Sequence, residues 1–375
     1  MSPMRDLVAV ILTAAIFGLT YGLSAPLIAL QFDAAGWGAV AIGLNAAMHA
    51  LGVLLIAPVL PAITARLGVM WTAWVALGGA AVTLLLFPAV PVLWLWFPLR
   101  LVLGISSETL FVVSETWVNR ITSEYTRARS MAAYTASLSL GFAVGPLFIS
   151  LIGSTGSTAF GAAAGVAVLA AALLLVMRPR PVPIEPAARI SPWLALRIAP
   201  IVVATTALNA ALETAGLNLL PLYAVNLGWS ETQATLLITI LLIGAIVLQL
   251  PIGWIADRID RRRFATWLAA VSALGAAAWP LALASPWLAF PLLFIWGGTF
   301  VGIYTLIITL LGSRFGGGEL IGLYTILSVA WGVGALIGPT LGGVAMQIST
   351  HGLPLFAAMG CTALALFMAS SRAPI

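Results

Sequence analysis

The chain has no lysine, one cysteine and two histidines in 375 residues, and only 7% of it is charged. Each shortage excludes something. With Cys361 alone, no intrachain disulfide, zinc cluster or redox pair can form. His49 and His351 lie too far apart to make a helical metal motif, so no metal site is expected. Soluble domains carry roughly 25% charged residues, so no large water-facing domain is present. Neither G-x-S-x-G, H-E-x-x-H nor a phosphate-cradling P-loop occurs, which argues against an enzyme and against an ATP-driven pump, and no cofactor is expected. What fills the chain instead is apolar: 62% of its residues are hydrophobic.

These residues come in long runs, and all sixteen cations are arginine. Apolar runs of about 20 residues cross a hydrocarbon core of roughly 30 Å. Read with a window of about 19 residues, the approximate spans are 7–31, 38–63, 69–88, 92–118, 129–152, 157–177, 200–224, 232–256, 264–284, 287–312, 320–346 and 352–369. The first is longer than a signal-peptide core and reads as a retained span. All the arginines except Arg100 fall near the ends of the chain or in alternate gaps, from Arg5 and Arg66 through the cluster Arg258, Arg261, Arg262 and Arg263 to Arg314 and Arg372. Cations hold a loop on the cytoplasmic side during insertion, so both termini are expected inside a bacterial inner membrane crossed twelve times. A pI near 10.0 would suggest nucleic acid in a soluble chain; here the arginines face anionic lipid, and no nucleic-acid partner is expected.

The longest interior gap, R-P-R-P-V-P-I-E-P-A-A-R-I-S at 178–191, has the proline spacing of an extended tether. It divides the chain into an amino-terminal six-helix bundle (1–177), a cytoplasmic proline-rich linker (178–191) and a carboxy-terminal six-helix bundle (192–375). The bundles repeat weakly. Pro26-Leu27 recurs as Pro221-Leu222, Gly104 has a counterpart in Gly297, and Gly141-x-x-x-Gly145-Pro146 recurs as Gly334-x-x-x-Gly338-Pro339. Small residues at that spacing let helices approach closely. The fold expected is an all-α membrane protein of twelve helices in two pseudo-symmetric bundles around a midplane site.

With these features the chain resembles the major facilitator superfamily over nearly its whole length. The most specific match is Gly253-Trp254-Ile255-Ala256-Asp257-Arg258-Ile259-Asp260-Arg261-Arg262, which looks like that family's loop signature G-x-x-x-D-R-x-G-R-R with the second glycine replaced by Asp260. The resemblance implies a conformational latch at Gly253, Asp257, Arg258 and Arg261. An aspartate at a helix carboxyl end opposes the dipole unless a partner answers it, and the candidates are the amino terminus of span eleven near Gly318-Glu319 or a nearby arginine. The equivalent first-half loop has Pro61 and Ala65 where the glycine and aspartate belong. Arg100-x-x-x-Gly104 is similar to the family's arginine-glycine motif. The glycine-proline of span five looks like the signature of its drug/proton exchangers. In the resembled fold, spans one, four, seven and ten line the cavity.

Ionisable residues inside spans are costly and so become functional candidates. Arg100, Glu108 and Glu115 lie on span four, His49 on span two and Glu213 on span seven. At 100° per residue, Glu108 and Glu115 differ by about 20° and Arg100 falls within about 80° of both, although Arg100 and Glu108 are about 12 Å apart along the axis. Counted inward, Glu108 and Glu213 are midplane proton-coupling candidates, and Glu115 reads as structural. Arg100 either balances charge or holds an anionic part of a substrate. Asn45 with His49, and Asn209 with Glu213, share helix faces at i,i+4. Tyr21, Tyr304, Tyr324 and Trp331 are further substrate contacts by position, with plain packing as the competing reading.

The function expected is therefore a secondary transporter, a monomer working by alternating access. It would couple to protons and export a small organic or amphipathic molecule. Proton-coupled uptake of a small metabolite and a non-transporting membrane scaffold are the alternatives. Expected partners are the small-molecule substrate, protons and membrane lipids.

Overall fold

The computed structural model describes residues 3–122, 124–154, 156–177, 199–314 and 317–371. The expected linker at 178–191 lies outside them, as do the side chains of Glu319 and Tyr324. Among the described residues there is no strand. The first six spans are built from α1 (Pro3–Ala34), α2 (Ala39–Ile56), the short α3 (Leu60–Leu67), α4 (Val69–Ala89), α5 (Trp96–Ile121), α6 (Glu124–Ile152) and α7 (Thr158–Met177). The rest are α8 (Pro200–Asn226), α9 (Glu231–Val247), α10 (Gln249–Ala256), α11 (Arg261–Ala277), α12 (Trp279–Ala282), α13 (Pro286–Arg314), α14 (Gly317–Ile348) and α15 (Gly352–Ser370).

Among the described residues, eleven segments are long and apolar enough to cross a membrane as single helices or helix pairs. The twelfth, at 264–284 by sequence, is α11 followed by α12. Pro280 cannot donate a backbone N–H, and the helix is interrupted at Ala278 just before it. Spans two and eight are also made in two pieces, α2 with α3 and α9 with α10, with Pro58 and Pro61 at the first break and Pro251 just past the second.

Two compact units result, 1–35 with 48–186 and 36–47 with 187–375. In the first, α1 packs most extensively on α6 and also on α5 and α7, while α4 packs on α5 and α7. The second repeats the scheme: α8 on α14, α13 and α15, and α11 on α13 and α15. Equivalent helices thus make equivalent contacts, which is the structural form of the sequence repeat.

Glycine makes the closest of these contacts possible. A Cβ on Gly141 would collide with the Ala15 carbonyl oxygen, and one on Gly338 with that of Ala211. Gly145 and Gly334 occupy the same two interfaces, against Gly22-Leu23 and Ala207. Pro146 and Pro339 follow within the helices, and each lacks the N–H that would bond the carbonyl four residues upstream. At Pro339 the carbonyl left over is that of Ala335, and the Thr214 hydroxyl of α8 approaches it at 3.5 Å. Residues 36–47, the start of α2 included, group with the second unit because Gly43 and Gly343 bring that segment against α14 at Pro339 and Ala39.

Candidate functional site

In the first unit a polar group sits where α1, α2 and α5 meet. Arg100 is 0% exposed and directs a long 3.5 Å contact at the Ser24 carbonyl of α1. Gly104, one turn further along α5, has its α-carbon against the His49 carbonyl, so the missing side chain is what lets α5 reach α2 at the histidine. That contact gives the arginine-glycine spacing a physical reason. The His49 ring lies 4.6 Å from that of Tyr21, which meets Phe142 in a T-shaped contact at 5.6 Å. Phe17 closes the same aromatic cluster against Phe142 at 6.2 Å. The Nδ1 atom of His49 is buried with no hydrogen-bond partner among the described residues. Asn45, on the same face of α2 and counted with the second unit, is 2% exposed and has its Nδ2 in the same condition.

Further along α5, Glu108 and Glu115 are half-buried. Glu108 has neither a hydrogen bond nor a cationic partner among the described residues. Sequence reasoning missed the group beside it. Tyr134 of α6 is 2% exposed, its hydroxyl lies 3.1 Å from Ser114 Oγ and donates to the Phe111 carbonyl at 3.4 Å, and it is within electrostatic range of both glutamates. A tyrosine one turn into an otherwise small and apolar run was the available signal. The side chains of the arginines that follow in the chain, Arg120, Arg127 and Arg129, lie outside the described residues.

In the second unit the polar face belongs to α8. Thr205, Asn209 and Glu213 follow at i, i+4 and i+8 and so form one stripe. Asn209 Nδ2 donates to Glu213 Oε2 at 3.3 Å. Asn209 Oδ1 and Thr205 Oγ1 are buried without a partner among the described residues, and Gly216, which continues the stripe, faces open space. Two further pairs were not foreseen. Thr305 of α13 donates to Gln249 Oε1 at 2.8 Å at the α9–α10 break. The Tyr223 hydroxyl lies 2.9 Å from His351 Nδ1, joining the end of α8 to the start of α15. Tyr304 and Trp331 are half-buried.

The signature loop is tied down by pairs within itself and by one contact to α15. Asp257 is 69% exposed and pairs at 3.1 Å with Arg261, one turn on. Arg258 lies 3.7 Å above the Trp254 ring. Asp260, which replaces the signature's second glycine, caps α11 by accepting from the Arg263 N–H at 2.7 Å. Arg262 donates to the Met368 carbonyl at 3.0 Å and to that of Ser371, at the carboxyl end of α15, where a cation is favoured.

The family model described as Major Facilitator Superfamily matches residues 10–223 and 202–373. The chain belongs to that superfamily. An uncharacterized MFS-type transporter, YfkF of Bacillus subtilis (strain 168), is 28% identical over 347 residues, covering 90% of this chain and 88% of its own. An uncharacterized MFS-type transporter of Yersinia pestis (strain Pestoides F) is 26% identical over 288 residues, covering 75% and 73%. Among solved structures, the nucleoside transporter NupG matches with a TM-score of 0.79 at 14% identity, over 99% of this chain and 100% of its own. A bacterial homolog of the human lysosomal transporter Spinster, inward-facing and unoccupied, gives 0.75 at 12%, over 98% and 95%. These likenesses establish the twelve-helix transporter fold. The protein is a multi-pass membrane transporter of small molecules and not an enzyme.

Proposed function

We propose that this superfamily member is a proton-coupled secondary transporter that works by alternating access and exports a small organic or amphipathic molecule. The observation that carries the reading is a pair of mid-span carboxylates, Glu108 on α5 and Glu213 on α8, neither with a cationic partner among the described residues. A charged carboxylate inside a span is costly, and a proton removes the charge. Uptake and release of that proton is the coupling step. Glu213, already oriented by Asn209, and Glu108, beside Tyr134, are the two carriers. Arg100 balances charge, because at 0% exposure it has no free surface with which to hold a substrate. The buried, unpartnered atoms of Asn45, His49 and Asn209 are polar contacts for the substrate, and Tyr21, Tyr304, Tyr324 and Trp331 are apolar ones. Asp257, with Gly253, Arg258 and Arg261, biases one closed arrangement of the arginine-rich face.

The test is substrate flux in proteoliposomes with and without an imposed proton gradient. Glu108→Gln or Glu213→Gln should still exchange substrate while losing the response to the gradient, and gradient-driven accumulation by the double variant would overturn the assignment. The direction of gradient-driven flux separates export from uptake. Orientation is tested apart from transport. We propose that both termini and the 178–191 linker face the cytoplasm of a bacterial inner membrane. In a Cys361→Ala background, single cysteines at Ser2, Pro183 and Ser230 should react with an impermeant thiol reagent from outside only at Ser230. Labelling at Pro183 in intact cells contradicts the topology.

A further inference from the structure

A groove of about 620 Å³ opens beside the amino terminus of α11, remote in sequence from the carboxylates. Its polar end is formed by Asp260, Arg262, Arg263 and Thr266. The two arginines are differently engaged. Arg262 is committed to the last carbonyls of α15, whereas the exposed guanidinium of Arg263 has no partner among the described residues. One oxygen of Asp260 is occupied by the Arg263 N–H. Over 257–263, four arginines stand against two aspartates, so the neighbourhood is cationic.

The other end is apolar. Trp267, which lines it with Ala270 and Met368, follows Arg263 at i+4 and is 71% exposed; outside the groove, Val271 and Leu274 continue the same helix stripe at 43% and 73%. Arginine followed by three exposed apolar side chains on one helix face, beside an open groove, matches a ligand with an anionic head and an acyl chain. An isolated phosphate ion would use only the first part. We propose that this groove is a binding site for an anionic phospholipid, with its headgroup phosphate at Arg263 and an acyl chain running past Trp267 along Val271 and Leu274. A basic pocket where helices leave the bilayer is the physical arrangement that selects anionic headgroups.

The full-length protein, purified and exchanged into detergent, is titrated with phosphatidylglycerol or phosphatidylcholine, and bound lipid is counted by native mass spectrometry. A first, preferred phosphatidylglycerol adduct is expected, weakened about fivefold in Arg263→Gln. Arg263→Lys keeps the charge and should retain it, and Arg66→Gln, in the opposite half's loop, should leave it untouched. Thermal unfolding of each variant confirms that the adduct is lost from folded protein. Equal binding of the two lipids, or full binding by Arg263→Gln, overturns the proposal. So does displacement of the lipid by inorganic phosphate at comparable concentration, which would make the groove a phosphate site.

Discussion

In the first unit, Gly104 on α5 lies against the carbonyl of His49, with Arg100 one turn before it. In the second, Gly297 on α13 lies against the carbonyl of Leu241, with Leu293 one turn before it. Arg100 and Leu293 are both 0% exposed. The two bundles therefore hold the same close approach of helices, yet one fills the adjoining slot with a guanidinium and an imidazole and the other with two leucines. Leucine satisfies the packing at far lower cost, since a cation at the centre of a span costs about 2.5–3.5 kcal/mol on insertion scales. The close approach itself does not require the charge; we propose that transport does, while the second unit places its carboxylate, Glu213, on α8 with the Asn209 amide as its neighbour.

The sharpest way to break that comparison is to make the first unit like the second. Arg100→Leu with His49→Leu should insert and unfold near the wild-type midpoint while gradient-driven flux falls by at least about tenfold, a change of about 1.4 kcal/mol in the transport barrier. Retained flux would reduce the guanidinium to a packing element, and failure to fold would show that its charge holds α1 to α5. A second comparison tests the repeat itself. Gly104→Ala and Gly297→Ala should each destabilise by about 1–3 kcal/mol, because backbones must separate, whereas Gly165→Ala, which meets open space, should change stability by less than about 0.5 kcal/mol. Thermal unfolding in one detergent measures all three, and a twofold or larger imbalance between the first two would break the equivalence of the interfaces.

The loops differ more gently. Asp260→Ala removes the cap of α11 and should cost about 0.5–2 kcal/mol. Asp257→Asn removes an exposed pair and should cost less than about 1 kcal/mol. If Asp257 acts as a latch, its replacement shifts the distances between spin labels on the two halves with little change in stability, and substitution at Ala65 shifts them less. Unchanged distributions in Asp257→Asn would refute the latch.

Much of the fold was legible because membrane insertion writes itself into composition. Run length and arginine placement gave the spans, and the repeated glycine-proline pairs marked α6 and α14 as helices with close neighbours, though not that those neighbours are α1 and α8. The irregular parts were not. Pro280 is visible in the sequence, but that it interrupts the ninth span at Ala278 depends on backbone geometry. Asp260 read as a glycine lost from a signature, whereas its use as a cap depends on where the Arg263 N–H points. Arg100, Glu108 and Glu213 stood out because charge inside a span is rare. Tyr134 and Gln249 did not, since a neutral polar residue becomes informative only when its partner on another helix is known. Grouping of residues 36–47 with the second unit was invisible for the same reason: Gly43 and Gly343 are far apart in the chain.

The Arg262 contacts have a consequence in time. Its acceptors at Met368 and Ser371 lie 106 and 109 residues later in the chain. At bacterial synthesis rates they emerge roughly 5–20 s after the arginine does. Throughout that interval the guanidinium stands at the edge of an unfinished bundle, and only the arrival of α15 supplies its carbonyls. A chain interrupted before α15 would hold this cation without the two carbonyls that receive it in the finished fold.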